Sequence, residues 1–197
     1  MSEDGAGEGD EEPTLSAVVL DFLPHGRADD DRPQYQKSPV AFGLGIEDFG
    51  LYELVLPEGG SVSIGDEVAI DPRADFLERV RHVDYDRLSG GARSELEPVV
   101  RERLDADEDR LVEFYNEAGP ITLRLHQLNL LPGIGNKLRD DIIAARKRKP
   151  FESLADLEER ISGLHRPKEI VVERVMEELR DDDVKYKLFA RAPRREE

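Results

Sequence analysis

The sequence predicts an α+β protein, with a small antiparallel β-barrel in front and a helical region behind it. Residues 15–70 contain short runs of β-branched and apolar residues separated by Gly-containing corners, which is typical of short antiparallel strands. Beyond Gly90 the spacing of apolar residues changes from two to nearly four, which is the spacing of an amphipathic helix. Four or five strands in so short a stretch favour a barrel over an open sheet.

The front of the chain divides into an acidic leader and the barrel. Residues 1–13 are mostly Gly, Asp and Glu, which cannot bury a core, so we expect a disordered leader. The barrel is predicted over residues 14–83, the last nine of which form a transition. Its strands are predicted at 15–23, 39–46, 49–56 and on both sides of a Gly65-Asp66 turn within 61–70.

The rest of the chain is predicted to be helical. Residues 84–119 are expected to hold two linker helices, the first capped by Ser94 and the second ended by Gly119-Pro120. Ser153 and Asp156 form a capping-box pattern before a later helix. The final residues, 181–197, are expected to form a terminal strand and a frayed tail. Helices are predicted at 94–104, 108–118, 121–128, 137–149, after 153 and at 168–179, and the strand at 184–189.

Charge is distributed unevenly along the chain. The sequence has 45 Asp and Glu against 28 Lys and Arg, a net charge of -17, and only seven of the bases are Lys. Residues 1–12 carry -6, residues 13–119 carry -13, and residues 120–197 carry +2. Diffuse acidity with few Lys is typical of a salt-rich cytoplasm, where charge repulsion is screened. We interpret the acidity as an adaptation to high salt, the alternative being an ordinary acidic protein. On this interpretation, only segments whose charge departs from the acidic background give information about partners.

Several functional classes are excluded by composition. The absence of Cys excludes disulfide scaffolds, thiol nucleophiles, Cys-ligated zinc and iron–sulfur clusters. The four His residues are scattered without metal-ligand spacing. No apolar run approaches a membrane span and the acidic N-terminus is unlike a signal peptide, which predicts a cytoplasmic protein with no membrane partner. No Ser–His–Asp or paired-carboxylate arrangement is present, so we expect no enzymatic activity.

The most informative motif is Leu131-Pro132-Gly133-Ile134-Gly135-Asn136-Lys137, which lies between two predicted helices. Two Gly residues permit a tight turn and close approach of a ligand, while the apolar residue between them plugs inward. The following helix begins with free N–H groups that favour a phosphate. This is the helix-hairpin-helix pattern, and it predicts contacts with the nucleic-acid backbone. The predicted contact residues are Gly133, Ile134, Gly135, Asn136, Lys137, Arg139, Arg146, Lys147, Arg148 and Lys149.

A weaker copy of the motif follows at residues 161–168. Gly163 aligns with Gly133, His165 stands where the second Gly should be, and one extra residue precedes Lys168. We expect this secondary hairpin to be mostly structural and to complete a tandem helix-hairpin-helix unit over residues 120–180. The alternative is that the whole unit serves packing or protein docking.

With these motifs in place, the chain resembles an archaeal family of unknown function, domain-of-unknown-function family 655, whose members are predicted nucleic-acid-binding proteins. The resemblance covers roughly residues 15–189 and is most specific in DFLPHG (21–26), QYQKSPVAFGLG (34–45) and the hairpin. It implies an OB-like barrel followed by the tandem helix-hairpin-helix unit, and no established activity. The hairpin helices are also similar to those of bacterial DNA-uptake and repair proteins.

The resemblance has two further implications for binding sites. Similar hairpins hold a monovalent cation, K⁺ or Na⁺, through backbone carbonyls, which correspond here to Asn129, Leu131 and Ile134. OB-like barrels bind single strands by stacking bases on aromatic residues beside basic ones. The candidates on this barrel face are Tyr35, Lys37 and Tyr52, whereas Phe42 and Phe49 are equally suited to the core.

Together these features predict a non-enzymatic protein that binds nucleic acid. RNA is slightly favoured over DNA, because OB-like modules are common in translation. Ribosomal or transcription proteins are the expected protein partners. The alternative is an adaptor that docks on a translation, transcription or repair complex without touching nucleic acid.

Overall fold

The computed structural model describes residues 14–190. The acidic leader (1–13) and the end of the predicted frayed tail (191–197) lie outside the described residues. Within them, strands are followed by helices, which confirms the predicted α+β class.

The strands form one antiparallel sheet in the order β4-β1-β2-β3-β5. The fourth strand returns to lie beside the first, which is a Greek-key arrangement, and the fifth strand pairs with the free edge of the third. A register shift between Val19 and Asp21 marks a bulge in the first strand. In chain order the strands are β1 (Leu15–Leu23), β2 (Val40–Gly45), β3 (Leu51–Val55), β4 (Glu67–Asp71) and β5 (Arg79–His82).

The second half of the predicted barrel differs from expectation. No strand forms at 61–64, because the turn that follows bonds to β1: Gly65 N–H donates to Val19 O at 2.8 Å and Val19 N–H donates to Asp66 O at 2.9 Å. Strand β5 lies within the segment that was predicted to be only a transition. Its two Arg residues hide the apolar alternation on which the prediction depended.

Five α-helices follow, with short 3₁₀ helices at Gln34–Gln36, Tyr85–Arg87 and Gln127–Leu130. The first α-helix begins before the predicted Ser94: its N-cap is Ser89, whose Oγ accepts from Ala92 N–H at 3.1 Å. Position 91 in this helix suits a glycine, because a Cβ there would lie only 2.6 Å from Asp21 Oδ2. The α-helices are α1 (Gly90–Ala106), α2 (Glu108–Glu117), α3 (Asn136–Arg148), α4 (Leu154–Arg160) and α5 (Pro167–Arg180).

The predicted helix at 121–128 is wrong, because this segment is a closed loop. Thr122 Oγ1 accepts from the amides of Arg124 and Leu125 at 3.3 and 3.1 Å, and Ile121 N–H donates to Leu125 O at 2.7 Å. A hydroxyl that satisfies nearby amides competes with the helical bonds. Leu123 lies fully exposed at the tip of the loop.

The predicted terminal strand at 184–189 is also wrong. The amides of Leu188, Phe189 and Ala190 donate to the carboxylate of Glu178 at 2.6, 2.9 and 2.9 Å, and not to a neighbouring strand. Glu178 is completely buried in α5 and also accepts from Arg174 Nε at 2.9 Å. We call this arrangement the Glu178 clasp, and it fastens the end of the described chain to α5.

The main hydrophobic core is shared between the sheet and the helices. It includes Phe42 on β2, Leu96 on α1 and Val175 on α5, while a smaller cluster fills the other face of the sheet. Tyr115 Oη in α2 donates to Pro167 O at 3.0 Å, which ties α2 to the start of α5, and burial raises the pKa of the Tyr115 hydroxyl. The predicted linker helices are therefore a central part of the core.

Candidate nucleic-acid interface

The first hairpin is a tight turn held by one apolar plug. Gly133 has a φ of +77°, a conformation that favours glycine, and the Ile134 amide donates to Leu131 O at 3.2 Å. Ile134 and Leu131 are buried in the main core, whereas Gly133 is exposed. The turn therefore fixes the point at which α3 begins.

The N-terminus of α3 is open to solvent. Its N-cap, Gly135, supplies no side-chain cap, and the first turn contains no acidic residue. No packed atom lies within 4 Å of the position that a Cβ would occupy on Gly133 or Gly135. Since the first amides of a helix lack intrahelical acceptors, this end of α3 presents N–H groups and a partial positive charge to an approaching anion.

Two amide side chains and one guanidinium brace the turn. Arg139 Nη1 donates to Asn129 Oδ1 at 3.1 Å and to Asn136 Oδ1 at 3.2 Å, and its Nε donates to Asp140 Oδ1 at 2.9 Å. Arg139 is only 22% exposed, so it holds the turn in shape more than it offers a free charge. Sequence reasoning missed the bracing role of the Asn129 side chain, although two Asn flanking a Gly-rich turn are a usable signal.

Two of the three carbonyls implied to hold a cation each accept one hydrogen bond within the turn. Leu131 O accepts from Ile134 N–H, and Ile134 O accepts from Asn129 Nδ2 at 3.4 Å. Each carbonyl oxygen has two lone pairs, so both retain one for a cation. The donor set therefore fits K⁺ or Na⁺ better than a divalent transition metal, which prefers nitrogen or sulfur ligands.

The basic run at the far end of α3 is divided between two roles. Arg146 points into the protein, where its Nη1 and Nη2 donate to Tyr115 O and Ala118 O at 2.9 and 2.6 Å, and burial lowers its pKa. Lys147, Arg148 and Lys149 are exposed, and Lys149 lies 3.2 Å from Glu152. Within residues 14–190, Lys147 and Arg148 form no ion pair.

The second hairpin repeats the turn of the first. Gly163 has a φ of +88°, Leu164 is buried, and the Leu164 amide donates to Ile161 O at 3.2 Å, the same distance as in the first hairpin. The backbone of the turn is thus reproduced even though His165 replaces the second Gly. His165 is exposed, with its Nδ1 3.9 Å from Glu158 Oε1.

The helix that follows the second hairpin is a poorer anion site. Its first residue, Pro167, has no N–H, and its first turn contains the acidic Glu169. The Arg166 amide already donates to Glu158 Oε1 at 3.1 Å, and the Lys168 ammonium pairs with Asp105. The two hairpins therefore share a shape but differ in what their helices offer to a ligand.

A groove of about 910 Å³ separates the first hairpin from α5. The α5 side contributes Glu173, Glu177 and Asp181 as well as Arg174 and Arg180. Three acids against two arginines leave this wall slightly acidic, which favours a cation on the α5 side of the groove. Lys137 lies outside the groove lining, with its ammonium 2.9 Å from Asp141 and its side chain 85% exposed.

The three residues predicted for a barrel face are not brought together. Tyr35 is highly exposed in the loop before β2, and Lys37 Nζ donates to Arg27 O at 3.3 Å. Tyr52 is half-buried against the smaller cluster, and its hydroxyl donates to Asp48 Oδ2 at 2.6 Å. Phe42, in contrast, belongs to the main core on the opposite face. Tyr52 therefore packs away from the side that carries Lys37.

Neither a clustered metal centre nor a membrane-spanning helix is found in the part of the chain that the structure describes. Across residues 14–190, no group of three or more His, Cys, Asp or Glu is placed to hold a metal ion. Two of the three Asp residues in the loop after β1 are partnered: Asp29 lies 2.7 Å from Arg27 and Asp30 lies 2.7 Å from Arg32. No helix in this part of the chain is long and apolar enough to cross a membrane.

Comparison with known proteins places the chain in a family. The crystal structure of Af1531 from Archaeoglobus fulgidus matches with a TM-score of 0.76 and 38% identity, covering 89% of this chain and 99% of that one. An uncharacterized protein of Methanocaldococcus jannaschii, MJ0038, is 41% identical over 178 residues, which are 89% of this chain and 79% of the relative. A family model described as a protein of unknown function, DUF655, matches residues 14–191. The chain therefore belongs to the DUF655 family, which has archaeal members.

Proposed function

We propose that this protein binds the phosphate backbone of nucleic acid through the first hairpin, and that it does so without catalysis. RNA is slightly favoured over DNA as the ligand. The observation that carries the proposal is the start of α3, which is uncapped, free of acidic residues and bordered by two open glycines. A helix N-terminus with these properties favours a phosphate.

The charges around this helix support the same function. Lys137 is highly exposed in the first turn, and Lys147 and Arg148 are exposed at the far end of the helix. The protein carries a net charge of -17, so the exposed basic residues of α3 are a local exception to an acidic composition. Contacts of this type hold the backbone and do not read base sequence.

We further propose that the fold is an OB-like barrel followed by a tandem helix-hairpin-helix unit. The Greek-key order of β4-β1-β2-β3 supports an OB-like barrel, which is itself a Greek-key structure. The two turns with matching hydrogen bonds at Leu131–Ile134 and Ile161–Leu164 support a tandem helix-hairpin-helix unit. In a salt-adapted cytoplasm, which the composition favours, K⁺ held by the carbonyls of Asn129, Leu131 and Ile134 would add positive charge to this surface. Anomalous scattering from a thallium-soaked crystal tests that cation, and no peak at the turn would remove it.

The binding surface is tested by fluorescence anisotropy with matched duplex and single-stranded RNA and DNA, titrated across KCl. A backbone binder loses affinity along a log–log salt line. We expect Lys137→Glu to weaken binding roughly tenfold for all sequences and to reduce the salt slope by about one. Lys185→Glu, an equal charge change at another exposed Lys, is the control and should have little effect.

Two outcomes would overturn this function. Full affinity in a folded Lys137→Glu variant would remove the hairpin as the contact surface. If no RNA or DNA binds at any salt concentration, the docking adaptor takes its place, and crosslinking in native extract would then identify a ribosomal, transcription or repair protein as the partner.

A further inference from the structure

Five arginines line one hollow of the sheet, although the surrounding segment of the chain is strongly acidic. Residues 13–119 contain 24 acids and 11 bases, yet five of those bases line a single hollow of about 440 Å³. It lies beside β2, β3 and β5 and the loop that precedes β2. We call it the arginine hollow, and its arginines are Arg27, Arg32, Arg79, Arg81 and Arg87.

Strand β5 places two of these arginines by simple alternation. Arg79 pairs with Val55 and Arg81 pairs with Glu53 across the β3–β5 ladder. Side chains alternate between the two faces of a strand, so both arginines share the face of Glu53, while Val80 packs against the smaller cluster. The Arg-Val-Arg-His pattern that concealed β5 from sequence analysis is therefore the pattern that builds this surface.

Arg27 is the fixed floor of the hollow. It is only 17% exposed, and it lies between Glu53 Oε2 at 2.8 Å and Asp29 Oδ1 at 2.7 Å. Hydrogen bonding to Arg27 holds the pKa of Asp29 below its usual range, and the Asp30 pKa is lowered to about 2 by the same contact with Arg32. These acids therefore stay ionised and orient the guanidinium groups.

The remaining arginines are held loosely. Arg81 lies 4.0 Å from Glu53 and Arg87 lies 3.7 Å from Asp29, and their side chains are 50% and 56% exposed. Arg79 is exposed and forms no ion pair with any described residue. Three acids, Asp29, Asp30 and Glu53, face five arginines in this lining, so the lining carries a net charge of +2.

We propose that the arginine hollow binds the phosphate group of a nucleotide unit. A guanidinium fork matches phosphate geometry, and a phosphate offers enough oxygens to engage several forks at once, whereas a carboxylate satisfies one. The volume of about 440 Å³ lies within the range of small-molecule sites and exceeds the need of an inorganic ion. Tyr35 does not line the hollow, but it follows Arg32 by three residues in the same loop and is 81% exposed, so its ring is open to stacking by a base.

This site lies on the sheet and is independent of the hairpin proposed above. Its phosphate can belong to a free nucleotide or to a strand, and two probes separate these sources. The first is AMP, and the second is a labelled oligouridine about 12 nucleotides long. Each is titrated into the full ¹⁵N-labelled protein while backbone amide shifts are followed.

We expect amides that border the arginine hollow to shift on titration, and Arg79→Glu to weaken binding roughly tenfold. Arg79→Ala removes the guanidinium without adding an acid and should weaken binding less, which guards against a folding defect in the first variant. Arg124→Glu, an equal charge change at an exposed arginine of the helical half, is the control. Lys137→Glu should leave AMP binding unchanged, so failure of the hairpin proposal is read separately.

Shifts with both probes would support a site that accepts free nucleotides, and shifts with the oligonucleotide alone would support a site for a strand. If neither probe shifts these amides, or if Arg79→Glu and Arg124→Glu behave alike, the proposal is overturned. The arginines would then serve only to fasten the loop before β2 to the sheet.

Discussion

Glu178 shows how one side chain determines the path of a whole segment. Its buried carboxylate accepts three backbone N–H groups and the Arg174 guanidinium. An ionised group in the interior is stable only when its partners replace the lost water. The predicted strand at 184–189 is absent because these amides are already satisfied by the clasp.

Replacement of Glu178 by Gln keeps the shape of the side chain but removes its negative charge. One carboxylate oxygen becomes an NH2 group, which is a donor facing the donors of the clasp. Breaking a buried pair of this kind costs about 3–5 kcal/mol of unfolding free energy. Urea denaturation measures the loss, with Glu173→Gln, exposed on the same helix, as a control within about 0.5 kcal/mol of wild type. Equal stability of the two variants would contradict the clasp.

His126 makes the stability of the hairpin region depend on pH. Its Nδ1 accepts from Leu128 N–H at 3.1 Å, and burial, followed by the charges of Arg146 and Arg139, lowers its pKa. The unfolded chain therefore takes up the proton more readily than the folded chain. The contribution of neutral His126 to folding stability is complete above the ordinary His pKa of about 6.5. It is lost as pH falls through the lower pKa that His126 has in the folded protein.

This effect is measured from urea unfolding of wild type and His126→Asn at about pH 7.5 and about pH 5.5. Asn retains a side-chain acceptor but does not titrate in this window. We expect the advantage of wild type over the variant to shrink at the lower pH. A constant difference between the two proteins would show that His126 is not the titrating group.

The basic run at the end of α3 contains residues with two different roles, a structural one for Arg146 and an exposed one for Arg148. Arg146 caps carbonyls at the end of α2, so Arg146→Leu should lower the unfolding free energy by about 2–3 kcal/mol. Arg148→Gln should leave stability unchanged and reduce the salt slope of nucleic-acid binding by about one. Denaturation and anisotropy on both variants check this division, and a stability loss at Arg148 with none at Arg146 would reverse it.

The elements that were predicted correctly have a strong local pattern. Strand β1 is a run of apolar and β-branched residues, and α5 repeats apolar residues at helical spacing between Pro167 and Arg180. The turn at Gly133 was foreseen because few sequences other than a Gly-rich one allow its φ.

The elements that were missed depend on distant partners. Helix α1 starts at Gly90 because Asp21, far away in the chain, receives a hydrogen bond from its Ser89 cap at 2.6 Å. The buried role of Arg146 depends on α2, and the arginine hollow depends on a ladder between β3 and β5. None of these contacts is visible in a local window of sequence, so composition and periodicity could not reveal them.

At the scale of the whole molecule, the shared core has a mechanical consequence. Sheet and helices contribute to one core cluster, which includes Val40 beside the arginine hollow and Ile134 in the first hairpin. If both proposed surfaces bind the same strand, the second contact forms at a high effective concentration. We expect that gain only for strands whose path spans the distance between the two proposed surfaces.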